Sequence, residues 1–438
     1  MSGVSEALAT LQKNGVEVIT LVFTDVLGRL KGFNLSVNEI ERAFSEGIVF
    51  DGSSVEGFVR IEESDLIAMP DPGAVFVAPA QVSGFKTAFI VCDVLRVDGQ
   101  PFERDPRQVL KRALAQIQKQ GYHYYVGPEL EYFYFGSDST PTLLDDAGYF
   151  DTLPSYRPTL AREETVKVLR EMGIEVEASH HEVAPSQHEI DFRYRDALRM
   201  ADMLQISKMI IKEVARKYEL YASFMPKPIF GVNGSGMHLH MSLWRGDENL
   251  FYDPRDPYQL SSLARHFLGG LLTYVKHIAL VTNQWVNSYK RLVVGYEAPV
   301  YISWGRFNRS ALVRVPAFKK PASARLEFRA PDPGANPYLA FACVLTAGMR
   351  GITEHLVPPE PIETDIYHMP EVDRQRRNID TLPASLLEAI DLACQSPILA
   401  EALGEPLFEK IIENKRVEWD KFRMAVTDYE IQTYYRML

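Results

Sequence analysis

Near residue 105 the chain changes its local grammar, and that change restricts the folds open to it. Upstream, VEVITLVFTD (16–25) and TAFIVCDVL (87–95) are rich in β-branched and aromatic residues and are broken by turns, which predicts short strands. DPRQVLKRALAQIQKQG then reads as a helix. Asp105 can cap it, Pro106 stands in the first turn, where a missing N–H costs nothing, and Gly121 can end it. Beyond this point, strands such as VGPELEYFYF and GMHLHMSLW alternate with helical patterns at about 197–217, 259–279 and 336–352. Asn336-Pro337 is a start signal for the last of these, and from about 385 onward the pattern is helical throughout. A chain of 438 residues exceeds one ordinary core. The expectation is therefore an N-terminal domain over 1–102 and a larger domain over 103–438.

Several function classes are disfavoured by composition. The formal charge of −11 argues against general nucleic-acid binding, which draws on surplus Lys and Arg. No apolar run approaches the roughly 18 residues of a membrane span, and the N-terminus MSGVSEALATLQKNG lacks a basic stretch leading into an apolar one. Cys92, Cys343 and Cys394 have neither disulfide-framework nor zinc-site spacing, so a cytoplasmic location is expected. One region departs from the acidic average. Between Asn287 and Arg329 stand Lys290, Arg291, Arg306, Arg309, Arg314, Lys319, Lys320, Arg325 and Arg329, opposed only by Glu297 and Glu327. Charge runs are commonly solvated faces. Here the arginines are interleaved with apolar residues, as in SALVRVP and ARLEFRAP, which turns many of them inward, where they require anions.

Carboxylates recur at strand spacing. In GPELEYFYF, Glu129 and Glu131 stand two apart and therefore share a strand face. Two glutamates so close among aromatics repel each other unless a cation lies between them, although an exposed, half-polar edge strand would carry the same pattern. ASHHEVAPSQHEIDFRY holds Glu182 and Glu189, with Glu177 just upstream. GVNGSGMHLHMSLW places His238 and His240 on one face, and ARLEFRAPDP does the same for Glu327 and Arg329. Five carboxylates with one imidazole suit Mg²⁺ or Mn²⁺ better than zinc. Divalent ions beside an arginine cluster are equipment for phosphoryl transfer.

The order of FTDVLGRLKG, FDGSSVEGF, GPELEYF, SHHEVAPSQHEIDF, ASFMPKPIFGVNGSGMHLHMSLW, NSYKRLVVGYEAP, NRSALVRVP and RLEFRAPDPGANPYLA resembles type I glutamine synthetase along essentially the whole chain. The seven-residue step from Glu182 to Glu189 resembles the shorter branch of that type. The resemblance implies an α+β fold: a small N-terminal β-grasp domain, then a catalytic domain built on an antiparallel sheet with flanking helices. It implies two hexameric rings forming a homododecamer, with active sites between subunits. The implied reaction is ATP-dependent ligation of ammonia to the γ-carboxylate of L-glutamate through γ-glutamyl phosphate. ATP, glutamate and ammonium are then substrates, with two or more Mg²⁺ or Mn²⁺ ions per site and no nucleic-acid or membrane partner.

Carried over residue by residue, Glu131, Glu182 and Glu189 match the ligands of one metal, and Glu129, His238 and Glu327 those of a second. Asn233, Gly234, Arg291 and Arg329 match positions that hold glutamate. Glu177, Tyr194, His240, Ser242, Arg314 and Arg325 match nucleotide contacts. Arg309 matches the arginine facing the transferring phosphoryl, Glu297 the carboxylate of a closing loop, and Asp51 and Ser54 an ammonium site supplied by the neighbouring subunit. The same residues admit a γ-glutamyl-polyamine (or other amine) ligase, for which TNQWVNSYKRLV and NKRVEWDKFRMAVTDYE have a similar flavour. A catalytically dead homologue would lack ligands, and none is missing. Val294 departs from the proline usual in LVVGYEAP. Tyr367 stands where the longer branch carries a modified tyrosine, though the flanking DIYHMP differs. Arg60 resembles the shorter branch's feedback arginine.

Overall fold

The computed structural model describes residues 2–55, 57, 65–153 and 155–438, so Arg60 lies outside the described residues. The N-terminal strands are β1 (Val18–Thr24), β2 (Leu30–Leu35), β3 (Ile48–Asp51), β4 (Asp65–Ala78) and β5 (Thr87–Arg96), in the sheet order β2-β1-β5-β4-β3. The pairs are antiparallel except the central β1–β5, which is parallel. Alternation explains the burial. Ile19 and Leu21 of β1, Ala88, Ile90 and Cys92 of β5 and Ala68 of β4 form one core with Ala7 and Leu11 of helix Ser2–Asn14 and Ala43 and Phe44 of helix Ile40–Glu46.

The residue 105 transition is tied down physically. The Asp105 carboxylate accepts from the Arg107 N–H at 3.0 Å, capping helix Pro106–Gln118, and from the Val94 N–H of β5 at 2.9 Å. One buried guanidinium then links the two regions. Arg107 meets Asp93 at 2.5 Å, Asp71 at 2.6 Å and Asp202 at 2.9 Å, the last on helix Ala197–Lys217. Three carboxylates around a single cation offset its desolvation, so removing Arg107 would leave buried negative charge uncompensated.

The second sheet comprises β6 (His123–Phe135), β7 (Val176–His181), β8 (Gln187–Phe192), β9 (Arg195–Asp196), β10 (Tyr221–Ser223), β11 (Met237–Arg245), β12 (Glu248–Asn249), β13 (Trp304–Gly305), β14 (Val313–Arg314) and β15 (Leu326–Phe328). Its path is β13-β14-β15-β11-β6-β8-β7. The pairing is antiparallel apart from the two-residue parallel contact of β13 with β14, a local exception to the expected antiparallel sheet. Helices Ala197–Lys217, Ser262–Thr282 and Pro337–Thr353 occupy the segments read as helical. The region after 385 is helical over Leu386–Cys394, Ile398–Leu403, Glu405–Met424 and Asp428–Tyr434. Among the described residues, no helix is long and apolar enough to cross a membrane.

Candidate active site

Strand register converts scattered carboxylates into one cluster. On β6, Glu129 lies opposite His238 of β11 and Glu131 opposite Glu189 of β8. His240 of β11 faces Glu327 of β15, which in turn faces Arg314 of β14, and His180 of β7 faces Glu189. Directly opposed residues on one face stand about 5 Å apart at Cβ, so the sheet itself brings these groups together. All of them except His240 line a cavity of about 410 Å³ with Glu182, Asn233, Gly234, Arg291, Glu297, Arg309 and Arg329.

Glu129 is held by two imidazoles, His238 Nδ1 at 3.0 Å from one carboxylate oxygen and His240 Nε2 at 2.6 Å from the other. Burial opposes its ionisation, but His240 and His238 outweigh burial and hold the carboxyl well below the usual carboxylate range. Glu327 is also buried. His240, with Arg314 Nε at 2.5 Å and Arg329 Nε at 3.3 Å, keeps its carboxyl low despite that burial and the nearby Glu129 charge. One donor atom each from Glu129, His238 and Glu327 lies within 4.8 Å of the others.

A second group is electrostatically strained. Burial, then the charge of Glu131, pushes Glu182 up to about 8; the same two causes push Glu189 well above its ordinary value. Donor atoms of Glu182, Glu189 and His180 lie within 4.8 Å of one another. The Glu131 carboxylate is positioned from behind, accepting from Gln187 Nε2 and the Gly236 N–H, each at 2.9 Å. Carboxylates that burial and mutual repulsion force toward protonation form a donor set that fits a hard divalent cation.

A larger cavity of about 1150 Å³ opens beside the first, lined by Glu177, Tyr194, His240, Ser242 and Arg325. Glu129 contributes to both cavities. The Tyr194 ring is half exposed and stacks on Trp244 at 6.2 Å, and Arg325 Nε donates to His240 Nδ1 at 3.0 Å. With Nδ1 accepting, the His240 proton sits on Nε2, facing Glu129. Arg314 lines the smaller cavity instead.

The loop elements are equally specified. Arg291 is buried and donates to the Ala330 carbonyl at 2.7 Å and the Arg329 carbonyl at 3.1 Å. A Cβ at Gly234 would stand 2.3 Å from the Pro226 carbonyl and 3.1 Å from Arg291, so only glycine fits there. Glu297 adopts φ +57 and accepts from Asn233 Nδ2 at 3.2 Å, which draws the loop carboxylate over the cavity. Tyr367 is tied down, its hydroxyl donating to the Ala298 carbonyl at 2.6 Å. Asp51 and Ser54 do not line either cavity of the single chain; they are exposed at the end of β3, where Asp51 accepts from the Ser53 N–H at 2.8 Å.

Sequence reasoning missed His180, Gln187, Asp191, Tyr149 and Phe150, all of which line the smaller cavity. Part of the signal was available. Gln187, Glu189 and Asp191 alternate on β8, and His180 stands two residues before Glu182, the same spacing that exposed the Glu129–Glu131 pair.

Two family models match, the glutamine synthetase beta-grasp domain over residues 15–97 and the glutamine synthetase catalytic domain over residues 103–434. Glutamine synthetase of Thermotoga maritima is 49% identical over 428 residues, covering 97% of each chain. That of Methanosarcina mazei is 46% identical over 437 residues, covering 99% of this chain and 98% of its own. Among solved structures, a GmaS/ADP complex superposes with a TM-score of 0.89 at 31% identity, covering 98% of this chain and 99% of its own. Plasmodium falciparum glutamine synthetase superposes at 0.87 and 27% identity, covering 98% of each.

Proposed function

This chain belongs to the glutamine synthetase family, and from that premise we propose that it joins ammonia to the γ-carboxylate of L-glutamate with hydrolysis of ATP to ADP and phosphate. The carrying observation is Glu129, a half-buried carboxylate shared by a small cavity lined with acids and arginines and a larger one with the size and aromatic wall for a nucleotide. A group at that junction serves a reaction that passes a phosphoryl from one cavity to the other.

A carboxylate is a poor electrophile, so the glutamate γ-carboxylate oxygen first attacks the γ-phosphorus of ATP and ADP departs. Ammonia then attacks the carbonyl carbon of the acyl phosphate, and inorganic phosphate leaves. Arg291, Arg329, Asn233 and Gly234 hold glutamate in the small cavity. Glu177, Tyr194, His240, Ser242, Arg314 and Arg325 hold the nucleotide, with the Tyr194 ring on adenine. Arg309 stabilises the charge spreading over the transferring phosphoryl. Glu129, His238 and Glu327 would hold one Mg²⁺ or Mn²⁺ ion, and Glu131, Glu182 and Glu189 another, with His180 beside the second group. When bound, these ions neutralise phosphate charge.

Ammonia at neutral pH is mostly ammonium. Asp51 and Ser54 of a neighbouring subunit attract the ion, and Glu297 takes its proton while its loop excludes water. That requirement supports an oligomer whose sites are shared between subunits, because a single chain leaves Asp51 and Ser54 away from its own cavities; we take its form to be two hexameric rings, as the family resemblance implies. The domain boundary falls near residue 102, and we place the enzyme in the cytoplasm. Phosphate release with ATP and glutamate, measured in parallel with ammonium, putrescine, spermidine and ethanolamine, tests the reading. Ammonium is expected to give the highest kcat/KM, and a larger amine doing so overturns it.

A further inference from the structure

Behind the Glu182 cluster lies a buried polar group that the reaction does not use. The Asp145 side chain, 2% exposed, faces His181 Nε2 at 3.3 Å, and the His181 side chain is fully buried. His181 Nδ1 lies 2.7 Å from the Glu182 carbonyl and 3.1 Å from the Gly148 carbonyl, so it must carry a proton. Its Nε2 faces the Asp145 carboxylate. The imidazole thus bridges the Asp145 carboxylate and the peptide of Glu182.

The same aspartate organises the chain on either side. Asp145 accepts from the Ser186 N–H at 2.7 Å, while Ser186 Oγ accepts from the Leu144 N–H at 2.6 Å. The Phe150 N–H donates to the His181 carbonyl at 3.1 Å. Residues 144–150 are therefore stitched to the turn between Glu182 and Gln187. At the far end of that stitch, Tyr149 and Phe150 stack at 3.9 Å, and Phe150 meets the His180 ring edge-on at 4.7 Å. Ser186 and Phe150 both adopt φ +65, a left-handed backbone that non-glycine residues hold only where surrounding contacts enforce it.

His188 adds a third donor atom within 4.8 Å of Asp145 and His181, a spacing that would also suit a metal. Its protonation excludes that role. Arg162 Nη1 lies 3.1 Å from His188 Nδ1, and a guanidinium only donates, so Nδ1 is bare and the ring proton occupies Nε2.

We propose that Asp145, His181 and Ser186 form a positioning element that sets the geometry of the Glu182–Glu189–His180 site and of the Tyr149–Phe150 wall beside it. The inference rests on Glu182 being a metal ligand, as in the function proposed above. None of the three touches substrate. Their effect reaches the reaction through the backbone of Glu182 and through the turn that also carries Gln187, the holder of Glu131.

The test is direct Mn²⁺ binding to the full-length oligomer without turnover, followed as free Mn²⁺ by electron paramagnetic resonance, with ADP affinity and Tm recorded alongside. Asp145→Asn is expected to weaken one class of Mn²⁺ site by about 10–100-fold, the range for groups that orient a metal's ligands. ADP affinity should stay within about twofold. Because a buried asparagine can destabilise the fold, Ser186→Gly serves as a second variant. It cuts the Leu144 tie yet relieves the positive φ, so Tm should hold or rise while Mn²⁺ binding still weakens; a merely structural residue would not separate the two. Mn²⁺ affinity unchanged in Ser186→Gly, or in a folded Asp145→Asn, overturns the proposal. Glu182→Gln distinguishes the underlying reading: if it also keeps wild-type Mn²⁺ binding, the ligand assignment itself fails.

Discussion

Arg314 Nε donates to Glu327 Oε2 at 2.5 Å, across the two-residue register that sets β14 against β15. With Arg329 on the other oxygen at 3.3 Å, Glu327 is a buried anion gripped by two cations and still within reach of His238. A carboxylate held so firmly in the charged form is prepared to receive a further cation.

Glu327→Gln keeps the shape but removes that charge. Turnover with Mg²⁺ should fall by about 10²-fold or more, on the scale of lost charge stabilisation in preorganised sites. Circular dichroism should show the fold intact. Near-wild-type activity in steady-state assays would reject Glu327 as a metal ligand.

Arg309→Lys keeps a positive charge but loses the planar fork. Arg309 is exposed at the cavity wall, and its carbonyl is engaged by Arg329, so the substitution leaves the backbone tie in place. The kcat should drop by about 10²-fold, given the size of arginine effects in phosphoryl transfer. Fluorescent-nucleotide titration should find ATP affinity little changed. A loss confined to ATP binding would make Arg309 a ground-state contact.

Asp51→Ala removes the acceptor of the Ser53 N–H in an exposed turn, so Tm should change by only a few degrees. If the neighbouring subunit's Asp51 gathers ammonium, the KM for ammonium rises strongly while those for glutamate and ATP hold. Equal shifts in all three constants would point instead to a damaged turn or a disrupted assembly.

The raised carboxyls of Glu182 and Glu189 give the metal-free protein a defined pH dependence. In the unfolded chain these glutamates ionise near 4.5, whereas burial and Glu131 delay Glu182 to about 8 and Glu189 beyond its ordinary range. The folded state therefore holds more protons between these values, and stability falls as pH rises from about 4.5 through 8. In EDTA, Tm should decline across that window. Added Mn²⁺ should flatten the decline and release protons, a change that calorimetry in buffers of different ionisation enthalpy detects. A Tm that rises over that window without metal would contradict the electrostatics described here.

Local chemistry was legible wherever one residue acts on its neighbours in the chain. Asp105-Pro106 announces a helix because a carboxylate beside free N–H groups and a proline without one satisfy its first turn. Alternation alone puts Glu129 with Glu131 and His238 with His240, because side chains on a strand repeat every two residues. Register lay beyond that reach. The opposition of Glu131 to Glu189, and of His240 to Glu327, joins residues 58 and 87 positions apart, and it depends on how whole strands bury their apolar faces together. The same holds for His180 and Asp145, ordinary polar residues in the sequence, which the burial around them turns into a partner of Glu189 and the anchor of His181. Residue types and spacing thus determined which chemistry this protein could perform. Tertiary packing decided which carboxylates share a cavity, because only desolvation and enforced proximity make the charge of one glutamate felt by another.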